Sequence, residues 1–302
     1  MGGAEDYPDD LMEFEKRFAT VEACQTYLEQ LRWPDGFECP GCRARKAWRT
    51  KRGNFFCRAC KRQTSVTAGT IFDRTKIPLL LWFRAAWLMC SQKNGISALG
   101  LQRQLGLSRY ETVWTMLRRF RNAMVRPGRE VLSGEVEVDE TLLGASKPGK
   151  RGRGAEGKEL VVIAAEIDGV KTGRIRMKRI PNADGKTLGN FVRTNIKAES
   201  TVVTDGWRGY LGISQQGYYH KRIKGESVGI EELLPRVHRV ASLLKRWLLG
   251  THQGGIDTIG HLDEYLDEFT FRFNRRSSNS RGKLFYRLLQ QTMEIGPIRH
   301  NR

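Results

Sequence analysis

The sequence predicts a multidomain α+β protein: a small metal-held module, a helical region, and a mixed α/β domain behind them. Three observations predict this. Two C-x-x-C pairs, Cys39/Cys42 and Cys57/Cys60, stand close together. From there to about residue 130, apolar residues recur at helical spacing. Beyond it the period drops to two, and strands alternate with helices. A length of 302 residues fits two or three domains. We place a helical segment at 1–36, the cysteine module at 37–66, a helical region at 67–130 and the α/β domain at 131–292.

In order along the chain, residues 9–32 read as one helix, with Leu11, Phe14, Phe18, Tyr27, Leu28 and Leu31 at helical spacing. Residues 37–64 read as short hairpins carrying the cysteines. The gap from Cys42 to Cys57 is short enough for a hairpin to bring the pairs together, and four thiolates so spaced suit tetrahedral zinc. Four unrelated thiols, or a redox C-x-x-C, is the competing reading. Few apolar residues lie here, so the module needs its metal to fold. It is studded with Arg43, Arg45, Lys46, Arg49, Lys51, Arg52, Arg58, Lys61 and Arg62. Cys24 and Cys90 fall on apolar helix faces and are expected to pack in cores.

Residues 77–92 read as a buried helix. Residues 95–125 read as two helices around Gly106-Leu107-Ser108, with Ser108 as N-cap and Glu111 completing a capping box. Such a pair fits a helix-turn-helix, its second helix offering Arg118, Arg119 and Arg121 to DNA. An ordinary helical hairpin with a solvated basic face fits it as well.

Glu135–Asp139 alternates as a strand that ends at Asp139. Strands follow at 160–167 and 173–180, a helix at 184–196, and a strand at 201–204 running into Asp205. Residues 230–249 read as a long amphipathic helix, and 257–292 as helical with a break near 277–282. The stretch 144–158, rich in Gly and basic residues, reads as an exposed loop whose Lys150, Arg151 and Arg153 suit phosphates. Two strand-end aspartates suit a Mg²⁺ pair for phosphoryl transfer, although such residues also serve as turns and caps.

Lys plus Arg total 52 against 33 Asp plus Glu, a net charge of +19. A charge so large and so spread out suits a long polyanion rather than a small acidic ligand. The longest apolar run, Ile77–Met89, is interrupted by Arg84 and is far too short to span a bilayer. The acidic start resembles no signal peptide. A reducing, cytoplasmic setting is expected, nucleoid-associated when the protein is on DNA, with cysteines as metal ligands or free thiols.

The order of strands and helices after residue 130, with a late long helix, is that of the ribonuclease H-like fold. The chain resembles the bacterial insertion-sequence DDE transposases that join an N-terminal zinc ribbon to such a domain. The matching stretches are Ser65–Phe72 (SVTAGTIF), Glu137–Thr141 (EVDET), Thr204–Tyr210 (TDGWRGY), His238–His252 (HRVASLLKRWLLGTH) and Tyr265–Arg276 (YLDEFTFRFNRR). They lie within roughly residues 15–290. The resemblance implies structural Zn²⁺ on the four cysteines and catalytic Mg²⁺ on Asp139 and Asp205. It also implies a third position on the long helix, followed seven residues later by a basic group. Here these are His238 and Lys245, where a Glu is common in the family; Glu231, one heptad earlier, is the reserve carboxylate. The implied activity is cleavage at terminal inverted repeats and joining to target DNA, by a homodimer or larger assembly. A non-catalytic DNA-binding regulator, or a nuclease that does not join, is the alternative.

Overall fold

The computed structural model describes residues 5–126, 128–144, 158–223, 233–252 and 261–297. Lys147, Lys150, Arg151, Arg153, Lys224 and Glu231 lie outside them. The chain divides into two compact units, residues 1–126 with 277–302, and residues 127–276.

The first unit opens with helices α1 (Leu11–Arg17) and α2 (Val21–Arg32). The sequence reads as one helix here, but Thr20 breaks it. Its hydroxyl accepts from the Ala23 amide at 3.2 Å and starts α2 afresh. Strands β1 (Ala47–Arg49), β2 (Phe55–Cys57) and β3 (Gln63–Thr64) form a small antiparallel sheet. Helix α3 (Leu79–Ser91) is buried along most of its length. Helices α4 (Ala98–Leu105) and α5 (Tyr110–Ala123) follow, separated at Gly106, whose φ of 64° suits a residue without Cβ.

Ser108 does not cap α5. That position falls to Arg109, with no side-chain cap bond, while the Ser108 carbonyl accepts from Gln102 Nε2. Cys24 and Cys90 are both buried.

The second unit is built on a five-stranded sheet. Its strands are β4 (Glu135–Leu143), β5 (Glu159–Asp168), β6 (Lys171–Ile180), β7 (Thr201–Thr204) and β8 (Tyr219–Arg222). Their order is β6-β5-β4-β7-β8. The first three are antiparallel neighbours; β7 and β8 run parallel to β4. Helix α6 (Gly185–Asn195) covers one face, over Val136, Val138, Val202 and Tyr210. Helices α7 (Pro235–His252) and α8 (Leu262–Phe273) cover the other, over Ile163, Ala165, Ile175 and Val203. The topology is the ribonuclease H-like one expected. β8 is an element the sequence reading lacks.

Helix α9 (Arg281–Glu294) departs from the expected boundary at 292. It belongs to the first unit, because Phe285 is fully buried among Phe14, Phe18, Tyr27, Phe83 and Trp87. That ring cluster offers α9 a larger apolar surface than an exposed helix end would have. Among the described residues, no helix is long and apolar enough to cross a membrane.

Candidate metal centres and nucleic-acid interface

The cysteine module consists of two copies of one backbone shape. The Cys39 amide donates to Ala44 O and the Arg43 amide to Cys39 O. The second pair repeats this, Cys57 N to Arg62 O and Lys61 N to Cys57 O. Each knuckle turns through a left-handed residue, Arg43 (φ 59°) and Lys61 (φ 60°). Neither is a glycine, so both turns carry strain of about 1–2 kcal/mol.

The four Sγ atoms all lie within 4.8 Å of one another, with Cys39–Cys60 and Cys42–Cys57 at 3.5 Å. Zinc–sulfur bonds of about 2.3 Å give tetrahedral edges near 3.8 Å, so the thiols fit that ion. The Gly41 and Cys42 amides pull the Cys39 thiol down to about 6. The Cys60 and Ala59 amides lower Cys57 in the same way. Among the described residues this is the only group of three or more ligand atoms so tightly gathered.

The carboxylate region is assembled by the sheet. β4 and β7 are paired with Val136 opposite Val202 and Glu137 opposite Val203. Two residues further on, that register brings Asp139 level with Asp205. Strand parity puts Glu137, Asp139 and Val203 on the face covered by α7. β4 continues to Leu143, so Asp139 sits within the strand rather than at its end as expected. β7 does stop at Thr204.

The turn after β7 is locked by its own side chains. Thr204 Oγ1 accepts from the Gly206 amide at 3.2 Å, and Asp205 Oδ1 from the Trp207 amide at 2.9 Å. Gly206 takes a φ of 83°. A Cβ on Gly209 would stand 2.5 Å from Ala183 O, where Trp207 Nε1 already donates at 2.9 Å. These contacts explain TDGWRGY as a turn that fixes the Asp205 carboxylate.

Helix α7 brings His238 to Asp139, with Nε2 3.4 Å from Oδ2. Asp139, Glu140, Thr141, His238, Ser242 and Lys245 line one open cleft of about 500 Å³. Asp205 is near enough for its charge to act on Asp139. Burial pushes the Asp139 carboxyl up to about 6. The Glu140 and Asp205 charges add to the rise, against the opposing pull of the Glu140 amide and His238. Crowded carboxylates of this kind are hard oxygen donors, the chemistry that suits Mg²⁺.

The sequence reading misses three participants. Glu140 points to the opposite face, where the buried Tyr210 hydroxyl donates to Oε1 at 2.5 Å. Burial holds that phenol well above its usual range, so it remains a neutral donor. Glu137 is only 2% exposed and binds Arg236. A glutamate in the same strand parity as Asp139 is the signal that could have flagged it.

The arginines of α5 need correction. Arg121 is 1% exposed, so it cannot reach a phosphate and is a core residue. Arg119 Nη1 turns inward to Ile71 O at 2.9 Å. Arg118 is half-buried, with its guanidinium over Trp114. Arg103 and Arg109, flanking the turn before α5, are the exposed cations there.

An ISXO2-like transposase domain matches residues 131–274, and a transposase zinc-ribbon domain matches residues 20–63. Both matched domains are domains of transposases. A relative from Halobacterium salinarum, described as an uncharacterized protein in transposable element ISH50, is 28% identical over 280 residues. That alignment covers 85% of this chain and 92% of the relative. The zinc-ribbon match spans the four thiols and supports structural zinc there, and the transposase-domain match spans the carboxylates.

Proposed function

We propose that this protein is a DDE-type transposase that cleaves DNA at the terminal inverted repeats of its element and joins the ends to target DNA. One observation carries the proposal. Asp139 and Asp205 stand level on adjacent parallel strands, and the helix over that face presents His238 to Asp139. Asp139, Asp205 and His238 would hold Mg²⁺, which supplies charge neutralisation for the attacking and leaving oxygens of a phosphoryl transfer.

The chain's own groups do the rest. Asp139 has to be ionised to serve as a ligand. Asp205 is held by its turn, so it needs no reorganisation. Lys245, on the cleft wall, offers a point charge to a phosphate. The cleft is open, as a site for duplex DNA requires.

End recognition falls to the first unit. The basic ribbon and the α4–α5 pair, with Arg103 and Arg109 rather than Arg121, supply the cations. The +19 charge supports a backbone contact spread along DNA. Two ends must be held together for joining, which calls for at least a homodimer. Lys150, Arg151 and Arg153, between β4 and β5 in the sequence, would add phosphate contacts.

The test is a joining assay with labelled element ends, Mg²⁺ and a target plasmid, run beside Asp139→Asn. Joined product from the wild type alone is expected. Cleavage without joining would make the protein a nuclease. Binding without cleavage would make it a regulator.

A further inference from the structure

We infer that Glu137 is a positioning residue: its carboxylate caps helix α7 and thereby fixes His238 against Asp139. The inference rests on the reading of Asp139 and His238 as site residues. Helix α7 has an unusual start. The His238 amide donates to Leu234 O at 3.0 Å, so Leu234 holds the N-cap position, and its side chain has no acceptor. Pro235 has no N–H to satisfy. The next two amides, Arg236 and Val237, both donate to Glu137 Oε2, at 2.8 and 3.0 Å. A strand carboxylate thus replaces the missing cap and meets the positive end of the helix.

The other oxygen is tied as well. Arg236 Nη1 donates to Glu137 Oε1 at 3.0 Å, and Arg236 Nη2 to Gly169 O at 2.7 Å, in the β5–β6 turn. Glu137 is almost wholly buried, so this charge is held by three donors rather than by water. It lies two residues before Asp139 on β4, and Val237 lies one residue before His238 on α7. A helix that slid by one residue, about 1.5 Å, would lose both amide bonds and carry His238 away from Asp139. The spacing of 3.4 Å between His238 and Asp139 is therefore set from Glu137.

A merely structural buried charge would lower stability without acting through His238, and a double-mutant cycle separates the two. Mn²⁺ affinity of the full-length protein without DNA would be measured by titration calorimetry, alongside DNA-end cleavage. Variants would be Glu137→Ala, His238→Ala, the pair of them, and Asp139→Asn. Glu137→Ala is expected to weaken Mn²⁺ binding about tenfold and cleavage by about 10²-fold. In the His238→Ala background it is expected to add almost nothing to either loss.

Glu137→Gln retains a carbonyl for the two amides and loses only the Arg236 pair, so it should fall between wild type and Glu137→Ala. It also serves as the test if the alanine variant does not fold. Additive losses, or wild-type Mn²⁺ affinity in Glu137→Gln and Glu137→Ala, would overturn the positioning role while Asp139→Asn still abolished binding. If Asp139→Asn left Mn²⁺ binding intact, the site itself would fall, and the positioning role with it.

Discussion

The ribbon and the carboxylate cleft both gather side chains of the kinds that bind metals, and they do it in opposite ways. The ribbon takes four soft thiols from two local knuckles and packs them within 4.8 Å. The second region draws its groups from distant elements: Asp139 from β4, Asp205 from the end of β7 and His238 from α7. A structural ion completes a local fold and can be enclosed. On the reading proposed above, the second region must stay open to DNA oxygens, and its groups are carried by rigid elements that the whole sheet holds in place.

The strongest way to break this comparison is to remove the ribbon's metal. Structural zinc sites contribute about 10–16 kcal/mol to folding in small peptides at neutral pH. Cys39→Ser, or a strong chelator, should release the zinc, unfold the ribbon and abolish end binding. A chromogenic zinc-release assay and gel shifts would read this. Unchanged affinity after zinc release would leave the ribbon no role in recognition.

At the cleft, Asp139→Asn should reduce cleavage by about 10³-fold or more and yet raise stability. The folded carboxyl titrates near 6, above the ordinary 3.8. Between those values the folded state holds more protons than the unfolded one, so stability falls as pH rises. Above pH 6 the deficit is complete, up to about 3 kcal/mol at 1.36 per unit, and the amide removes it. Thermal melts at pH 7 without added Mg²⁺ would show no gain if the carboxylate were not strained. In the wild type at low metal, cleavage should fall about tenfold between pH 7 and pH 5 as this group protonates. A flat profile would mean that Asp139 is not titrating there.

Smaller effects sharpen the DNA side. Arg103→Ala and Arg109→Ala should each reduce the salt dependence of end binding by a slope of about 1. Arg121→Met should leave the slope alone and lower the melting temperature. A slope change from Arg121 would reverse the assignment. The smallest effect belongs to the ribbon's left-handed turns. Lys61→Gly should relieve about 1 kcal/mol of backbone strain, seen as tighter zinc retention in a chelator competition.

Much of this was legible from residue types. The thiols declare themselves, because paired C-x-x-C spacing has few other uses. The strand order was legible because period-two segments and one amphipathic helix follow in a recognisable sequence. Asp139 and Asp205 were visible only with the family resemblance, since an aspartate in a turn says nothing of its neighbours.

What stayed hidden depended on contacts distant in sequence. The register of β4 on β7 joins residues more than sixty positions apart. Glu137 looked like another polar position in an alternating strand until α7 covered that face. Arg121 looked like a DNA contact because a basic residue late in a helix is usually solvated. Thr20 shows the local limit: one hydroxyl divides a helix whose apolar spacing runs straight through it.

Helix α9 has a consequence for how the protein is made. Phe285 closes the ring cluster of the first unit, and in sequence the whole of the second unit comes between that helix and the residues it packs on. During synthesis the α/β unit has emerged from the ribosome before the residues that finish the unit started earlier. The unit that carries the zinc ribbon is therefore the last to mature. A product truncated before residue 281 would carry a finished α/β unit and an unclosed aromatic core.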